Sequence, residues 1–294
     1  MRRAEDLFKN RQRALVVRAG LRGIALVQID IAQIAQDAPF ALLVLQHGKL
    51  LLRGGETPHS FSLRPSDARM LHGADVVFWI GPDLERPLQN ILASLADVRS
   101  ISMLDTPRLE TLTMRSAHAH AHDETDHGHH HDAAVDPHIW LSPPLVRLQA
   151  GTILKALTAA DPGRSKDYET NYRRFVNEID ALDRDLKTLF SGKEGLPFMV
   201  FHPAWGYFAQ AYGLTQVPIE IEGKDPKPAQ LQDMIENARA QGIRVVFVQP
   251  QFSVKRAELV AREIGGQVAF ADPLAPDWLT NLRAVAGKFK AALQ

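Results

Sequence analysis

The sequence predicts an α/β protein made of two halves that one long helix separates, and three observations lead to this prediction. The run ADVVFWI at 74–80, apolar except for Asp75, is typical of a strand buried on both faces, as in parallel sheets. Apolar residues spaced alternately by four and three over 168–189 predict one amphipathic helix of about six turns. Beyond Gly192, predicted strands and helices alternate regularly, which is the pattern of a parallel sheet wrapped by helices.

The first half begins with a segment, residues 1–50, that has no clear periodicity and is atypical of the rest of the chain. From Gly54 onward the pattern is orderly, and Ser66–Gly73 is predicted as a short helix that precedes the strand at 74–80. Leu145–Ala160 is amphipathic and predicts a further helix. We therefore assign residues 1–160 to an N-terminal α/β lobe.

The second half follows a linking helix assigned to 161–192 and forms a C-terminal α/β lobe over 193–294. Its strands are predicted at Pro197–Phe201, Gln216–Ile221, Arg244–Gln249 and Gln267–Ala271. Its helices are predicted at about Ala204–Tyr212, Pro228–Gln241, Val254–Ile264 and Asp277–Leu293. Because a helix follows each strand, these strands are expected to run parallel.

The composition excludes several classes of protein. The chain has 34 basic and 34 acidic side chains, so it lacks the basic excess that nucleic-acid binding requires. No apolar run approaches the roughly 18 residues of a transmembrane helix. Charged residues interrupt the first part of the chain, so no clear signal peptide is predicted in the sequence as written. Since cysteine is absent, a metal would be held by nitrogen and oxygen atoms.

Histidine is the anomalous residue, because seven of the 12 histidines fall within one short stretch. The segment that contains them, 116–136, also carries carboxylates and almost no large apolar residue, which predicts a loop. Clustered imidazoles and carboxylates form several weak metal sites, so this segment is predicted to be an accessory metal-binding loop. A tag-like or buffering segment is the alternative. The seven residues are His118, His120, His122, His127, His129, His130 and His131.

Three other histidines, His59, His138 and His202, lie beside prolines where one predicted element gives way to the next. His202 and Asp272 each follow a predicted strand, and ligands of open α/β sheets gather at the carboxyl ends of strands. Three neutral imidazoles and one carboxylate suit zinc, whereas manganese prefers more carboxylate oxygen. A single histidine beside a proline is more often a turn or cap residue. Spacing therefore leaves both interpretations open, and His72 is interpreted as an ordinary surface or cap histidine.

Five segments carry a resemblance to a known family. They read GETPHSFSLRPSDARMLHGADVVFWIGPDLE at 55–85, DPHIWLSP from Asp136, VFHPAWGYFAQAYGL from Val200, VVFVQPQFS from Val245 and FADPL from Phe270. In this order and spacing they resemble the periplasmic zinc-binding subunits of high-affinity zinc ABC importers. The chain is similar to the ZnuA-like branch of the solute-binding proteins that carry zinc or manganese, over roughly 54–294.

The resemblance implies two lobes of small, mainly parallel sheets wrapped by helices and joined by one long rigid helix. The family's metal ligands fall on His59, His138 and His202, with Asp272 or water completing the shell between the lobes. A glutamate at the third position accompanies manganese in this family, so His202 favours Zn²⁺. The resemblance also implies a periplasmic location and delivery of zinc to the membrane permease of an ABC transporter, and we expect a monomer. The acidic, His-rich segment resembles the loop of the zinc branch.

Other functions stay open on the sequence. They are a carrier of manganese or another divalent metal from the same cluster, and an adhesin-like metal-binding surface protein. A zinc hydrolase needs an open coordination position and a general base. The sequence has no His-Glu-x-x-His pair, no Gly-x-Ser-x-Gly and no glycine-rich phosphate loop, so no enzymatic activity is predicted. Since zinc binds neutral imidazoles, its binding is expected to weaken as the pH falls through about 6.5.

Overall fold

The computed structural model describes residues 43–45, 49–50, 58–59, 62–114, 135–220, 226–275 and 277–293. Within these residues the chain is an α/β protein whose strands form two separate four-stranded sheets, each with helices beside it. Four of the six strand pairs among the described residues are parallel. The α/β class with small sheets and helices is therefore confirmed, and most strand pairs are parallel, although the antiparallel pairs all lie in the first sheet.

The first sheet is mixed. Its order is β2-β1-β3-β4, in which β1 runs antiparallel to both neighbours while β3 and β4 are parallel. The strands are β1 (Leu43–Leu45), β2 (Lys49–Leu50), β3 (Val76–Trp79) and β4 (Arg99–Ser102), and the helices are α1 (Pro65–His72) and α2 (Arg86–Ser94). Helix α1 and strand β3 were predicted, whereas α2 and β4 were not, although Leu88, Ile91 and Leu92 of α2 have helical spacing.

Carboxylates fix the ends of two elements in this lobe. Asp67 of α1 accepts the backbone N–H of Arg64 at 2.9 Å, which caps the start of the helix. Glu85 accepts the backbone N–H groups of Ile80 and Gly81 at 2.9 and 3.0 Å, directly after β3. These bonds satisfy buried donors where regular structure stops.

Helix α4 (Ser165–Phe190) is the long helix that the apolar stripe predicts. Five members of that stripe are buried, namely Tyr168, Phe175, Ile179, Leu182 and Leu186, while Tyr172 and Leu189 are partly buried. The preceding helix, α3 (Pro143–Ala160), packs along α4, and short 3₁₀ turns at 139–141 and 162–164 flank α3. The stripe is therefore the contact face of the helix.

The second sheet is entirely parallel, in the order β6-β5-β7-β8. Its strands are β5 (Pro197–Val200), β6 (Thr215–Pro218), β7 (Val245–Val248) and β8 (Gln267–Phe270). Its helices are α5 (Gly206–Ala211), α6 (Pro228–Ala240), α7 (Val254–Glu263) and α8 (Trp278–Ala292). Every one of these elements lies within three residues of its predicted bounds.

One continuous hydrophobic cluster joins the two halves. It includes Phe78 of the first sheet, Phe175 of α4 and Phe198 of the second sheet. Two tryptophans add directed contacts, because Trp140 Nε1–H donates to the carbonyl of Pro273 at 2.9 Å and Trp278 Nε1–H donates to the carbonyl of Trp140 at 2.8 Å. The lobes are therefore packed together beside α4.

The described helices include none that is both long and apolar enough to span a bilayer.

Candidate metal centre

Three of the predicted histidines meet at the junction of the two sheets. His59 lies in a turn ahead of α1, His138 directly precedes a 3₁₀ turn, and His202 follows β5 at the carboxyl end of a central strand. One nitrogen of each ring lies within 4.8 Å of the others. The ring centroids are 5.2 to 5.5 Å apart, so the imidazoles form a nearly equilateral triangle.

The spacing of two ring nitrogens matches the requirement of zinc. The Nε2 atoms of His138 and His202 are 3.3 Å apart. Zinc at roughly 2.0–2.1 Å from each of two tetrahedral nitrogen ligands places those nitrogens about 3.4 Å apart. These two side chains are therefore spaced for a tetrahedral ion.

A buried carboxylate orients each of these two rings. Asp136 Oδ1 accepts from Nδ1–H of His138 at 2.7 Å and from its backbone N–H at 3.0 Å. Glu220 Oε2 accepts from Nδ1–H of His202 at 2.6 Å. Because these bonds place the proton on Nδ1, the Nε2 lone pairs face the centre of the triangle. The rings are held in the tautomer that a metal needs.

Sequence reasoning missed both of these carboxylates. Asp136 stands two residues before His138, within the quoted DPH, and that proximity was a usable signal. Glu220 was placed inside a predicted strand at 216–221, whereas β6 ends at Pro218. Glu220 therefore lies beyond the end of the strand, at the same edge of the sheet as His202.

Aromatic side chains flank the same two rings. Phe252 stacks on His202 with the centroids 5.1 Å apart and 20° between the planes, and Trp140 lies 5.2 Å from His138. Pro273 lines the same pocket. These apolar walls restrict the rotation of the rings and reduce their contact with water.

Burial keeps two of the rings neutral. Desolvation, followed by repulsion from His138 and His202, lowers the pKa of His59 to about 3, although the residue keeps an exposed edge. Desolvation also lowers the pKa of His202, and this effect outweighs the opposite influence of Glu220. At neutral pH both imidazoles therefore offer lone pairs to a metal ion rather than protons.

Among the described residues, Asp272 is the other predicted ligand. Asp272 is not in the three-histidine group, and its Oδ1 accepts from the Gln251 side chain at 3.1 Å and from the backbone of Leu274 at 2.9 Å. Its assignment as a ligand stays a prediction. The seven histidines of the predicted accessory loop lie outside the described residues. His72 is exposed on α1, as predicted.

The chain is similar to known zinc-uptake proteins. A family model described as ZnuA, the periplasmic component A of a zinc-uptake complex, matches residues 46–292. The high-affinity zinc uptake system protein ZnuA of Yersinia pestis is 30% identical over 243 residues, covering 77% of this chain and 76% of that protein. A crystal structure of ZnuA is 36% identical with a TM-score of 0.74, over 84% of this chain and 90% of that one. A zinc-bound ZnuA deletion mutant is 35% identical with a TM-score of 0.74, over 84% and 89%.

Proposed function

This chain belongs to the ZnuA family of periplasmic zinc-uptake components, and we propose that it captures zinc with high affinity and delivers it to an ABC-transporter permease. The family is a metal-binding transport component and not an enzyme. The observation that carries the proposal is the triangle of His59, His138 and His202. The rings of His138 and His202 are each oriented by a buried carboxylate. We propose these three histidines as the ligands.

The donor set supports zinc over manganese. In the described part of the chain, the candidate ligand atoms that lie close to one another are imidazole nitrogens. Asp136 and Glu220, the nearby buried carboxylates, each use an oxygen on the Nδ1 side of a ring. Manganese prefers oxygen ligands, whereas zinc accepts three nitrogens and a fourth ligand in a tetrahedron. We propose water or Asp272 as that fourth ligand.

The relatives support a particular place for this capture. The family is described as a periplasmic component of a zinc-uptake complex. We propose that this chain likewise acts in the periplasm, as a monomer, and that it hands zinc to a membrane permease. We also propose that the seven clustered histidines form an accessory loop that gathers zinc near the site. The lobe boundaries proposed are 1–160 and 193–294, with 161–192 as the linking helix.

Calorimetry with zinc and with manganese tests the capture step. The purified protein, stripped of metal by a chelator, is titrated separately with each ion. We expect about one tight equivalent of zinc per chain and manganese binding at least about a hundredfold weaker, because the donors are nitrogen atoms. Equal or tighter binding of manganese would reject zinc as the cargo.

Growth under zinc limitation tests delivery. A bacterium that lacks its own zinc-binding subunit but keeps the permease and ATPase is given this chain behind a signal peptide. Restored growth in chelator-treated medium, lost again in a His202→Ala variant, is the expected result. Growth that the His202→Ala variant supports equally well would show that delivery does not depend on this site.

A further inference from the structure

Tyr207 reaches from the C-terminal sheet's helix α5 to the chain that leads into His138. Its hydroxyl donates to the backbone carbonyl of Asp136 at 2.7 Å and accepts the backbone N–H of Leu112 at 3.0 Å. Tyr207 is 1% exposed. Burial raises its pKa, so the hydroxyl keeps its proton and can donate. One side chain thereby holds two backbone segments of the other lobe.

Asp136 connects this contact to the histidine. Its backbone N–H donates to the carbonyl of Leu112 at 2.7 Å, beside an antiparallel bridge between Thr113 and Val135. Its carboxylate accepts from Nδ1–H of His138. A continuous series of hydrogen bonds therefore runs from the hydroxyl of Tyr207 through Asp136 to the ring of His138.

Gly206 lies beside Oδ2, the other oxygen of the same carboxylate. A Cβ atom added at Gly206 would lie 2.8 Å from Oδ2 of Asp136, which is closer than real Cβ contacts. The carboxylate thus lies against the backbone of α5, one residue before Tyr207. Two adjacent residues of the C-terminal lobe therefore lie against Asp136: Tyr207 bonds its carbonyl, and Gly206 lies beside its carboxylate.

We propose that Tyr207 is a positioning residue for metal binding, which holds Asp136 so that its carboxylate fixes the ring of His138. The proposal rests on zinc binding at the three histidines. It makes the geometry of a ligand in one lobe depend on a hydroxyl from the other lobe. Metal affinity is then sensitive to how the two lobes are docked at α5.

Tyr207→Phe tests this role, because it removes the hydroxyl and keeps the ring. Tyr212→Phe is the matched control, since Tyr212 is also buried beside α5 but donates to Asp183 at 3.2 Å, away from the histidines. Tyr207→Phe loses the two hydrogen bonds of its hydroxyl, and Tyr212→Phe loses one. We expect the zinc dissociation constant to rise about 5- to 10-fold in Tyr207→Phe and to stay within about twofold in Tyr212→Phe.

A double variant asks whether the hydroxyl acts through the carboxylate. Once Asp136→Ala removes the carboxylate, adding Tyr207→Phe is expected to weaken zinc binding no further, whereas independent effects would multiply. In the Co²⁺-substituted protein, Tyr207→Phe is expected to change the visible absorption bands of the metal and Tyr212→Phe to leave them as in wild type. Gly206→Ala, which presses on the same carboxylate, is expected to raise the dissociation constant as well.

The positioning role would be overturned if Tyr207→Phe kept the zinc affinity and the Co²⁺ spectrum of the wild type. It would also be overturned if the losses of zinc affinity from the two substitutions multiplied in the double variant. These outcomes differ from a failure of the proposed function, in which the wild-type protein itself would bind no tight zinc equivalent. The wild-type titration therefore separates the two.

Discussion

The 2.6 Å bond from Nδ1 of His202 to Glu220 joins a candidate ligand to a buried carboxylate. The carboxylate fixes the tautomer and makes Nε2 a better donor to a cation. We expect Glu220→Gln, which keeps an acceptor but removes the charge, to weaken zinc binding about 10- to 100-fold by competition with a chelator. Glu263→Gln is the control, because Glu263 pairs with Arg239 on the surface. If Glu220→Gln left the zinc affinity unchanged, the charge of Glu220 would not contribute to zinc binding, and the hydrogen bond would only hold the ring of His202 in place.

The lowered pKa values change the expected response to acid. For an imidazole with the ordinary pKa of about 6.5, the neutral fraction falls about eightfold between pH 7 and pH 5.5. The pKa of His59 is lowered to about 3 and that of His202 is also lowered, so these rings keep their lone pairs as the pH falls through 6.5. The zinc dissociation constant is therefore expected to rise less than about 50-fold over this interval.

Calorimetry at pH 7 and pH 5.5 measures this effect. The structure thus shifts the sequence-based expectation of weakening near pH 6.5 to more acidic values, because burial opposes protonation. A rise of several hundredfold, as three ordinary imidazoles would give, would show that the rings are more hydrated than their burial indicates.

Helix α4 stabilises the molecule through its buried stripe. Leu182 is fully buried in the hydrophobic cluster that joins both sheets. We expect Leu182→Ala to lower the free energy of unfolding by about 2–5 kcal/mol, because it deletes buried methyl groups and leaves a cavity. Arg173→Ala, at an exposed position of the same helix, is expected to cost less than about 1 kcal/mol. Urea denaturation of both variants makes the comparison, and similar losses would place the stripe outside the core.

Periodicity was sufficient for the strands and helices after Pro143, because short strands alternate there with helices. It failed for β4, whose residues Arg99–Ser102 are mostly polar and none of them buried, since an edge strand needs no apolar pattern. It could not give the antiparallel direction of β1, which depends on pairing between distant segments. Helix α2 was not predicted, although Leu88, Ile91 and Leu92 are spaced as on one face of a helix and were a usable signal.

The candidate site divides in the same way. Each histidine could be found from the sequence because prolines and strand ends mark it. Glu220 and Tyr207 could not be found, because their roles arise from contacts between segments 18 and 71 residues apart. Residues that hold a ligand in place leave a weaker sequence pattern than the ligands themselves.

The whole molecule is two lobes packed on one helix, with the candidate site where they meet. Trp140 and Trp278 tie the lobes through hydrogen bonds of 2.9 and 2.8 Å beside that site. A bound ion would therefore contact both lobes at once, since His138 lies before α3 in the N-terminal half and His202 follows β5 of the second sheet. Tight binding is expected to be a property of the assembled molecule.

Deleting 117–133 separates the accessory histidines from this central site. Because the three proposed ligands lie outside that range, we expect the variant to keep its tight zinc equivalent and to lose only weaker ones. Calorimetry on the deletion variant and the full chain gives both numbers. Loss of the tight equivalent would make the deleted segment, rather than the three histidines, the primary site.

Zinc titration of wild type, His202→Ala and His72→Ala tests whether the three-histidine triangle binds the zinc. His202 is buried in the triangle, whereas His72 is exposed on α1 and serves as the matched control. We expect about one tight equivalent of zinc in wild type and in His72→Ala. In His202→Ala we expect zinc to bind more than about a hundredfold more weakly, because the site loses one of its three imidazole nitrogens. Undiminished tight binding in His202→Ala would contradict zinc capture by His59, His138 and His202.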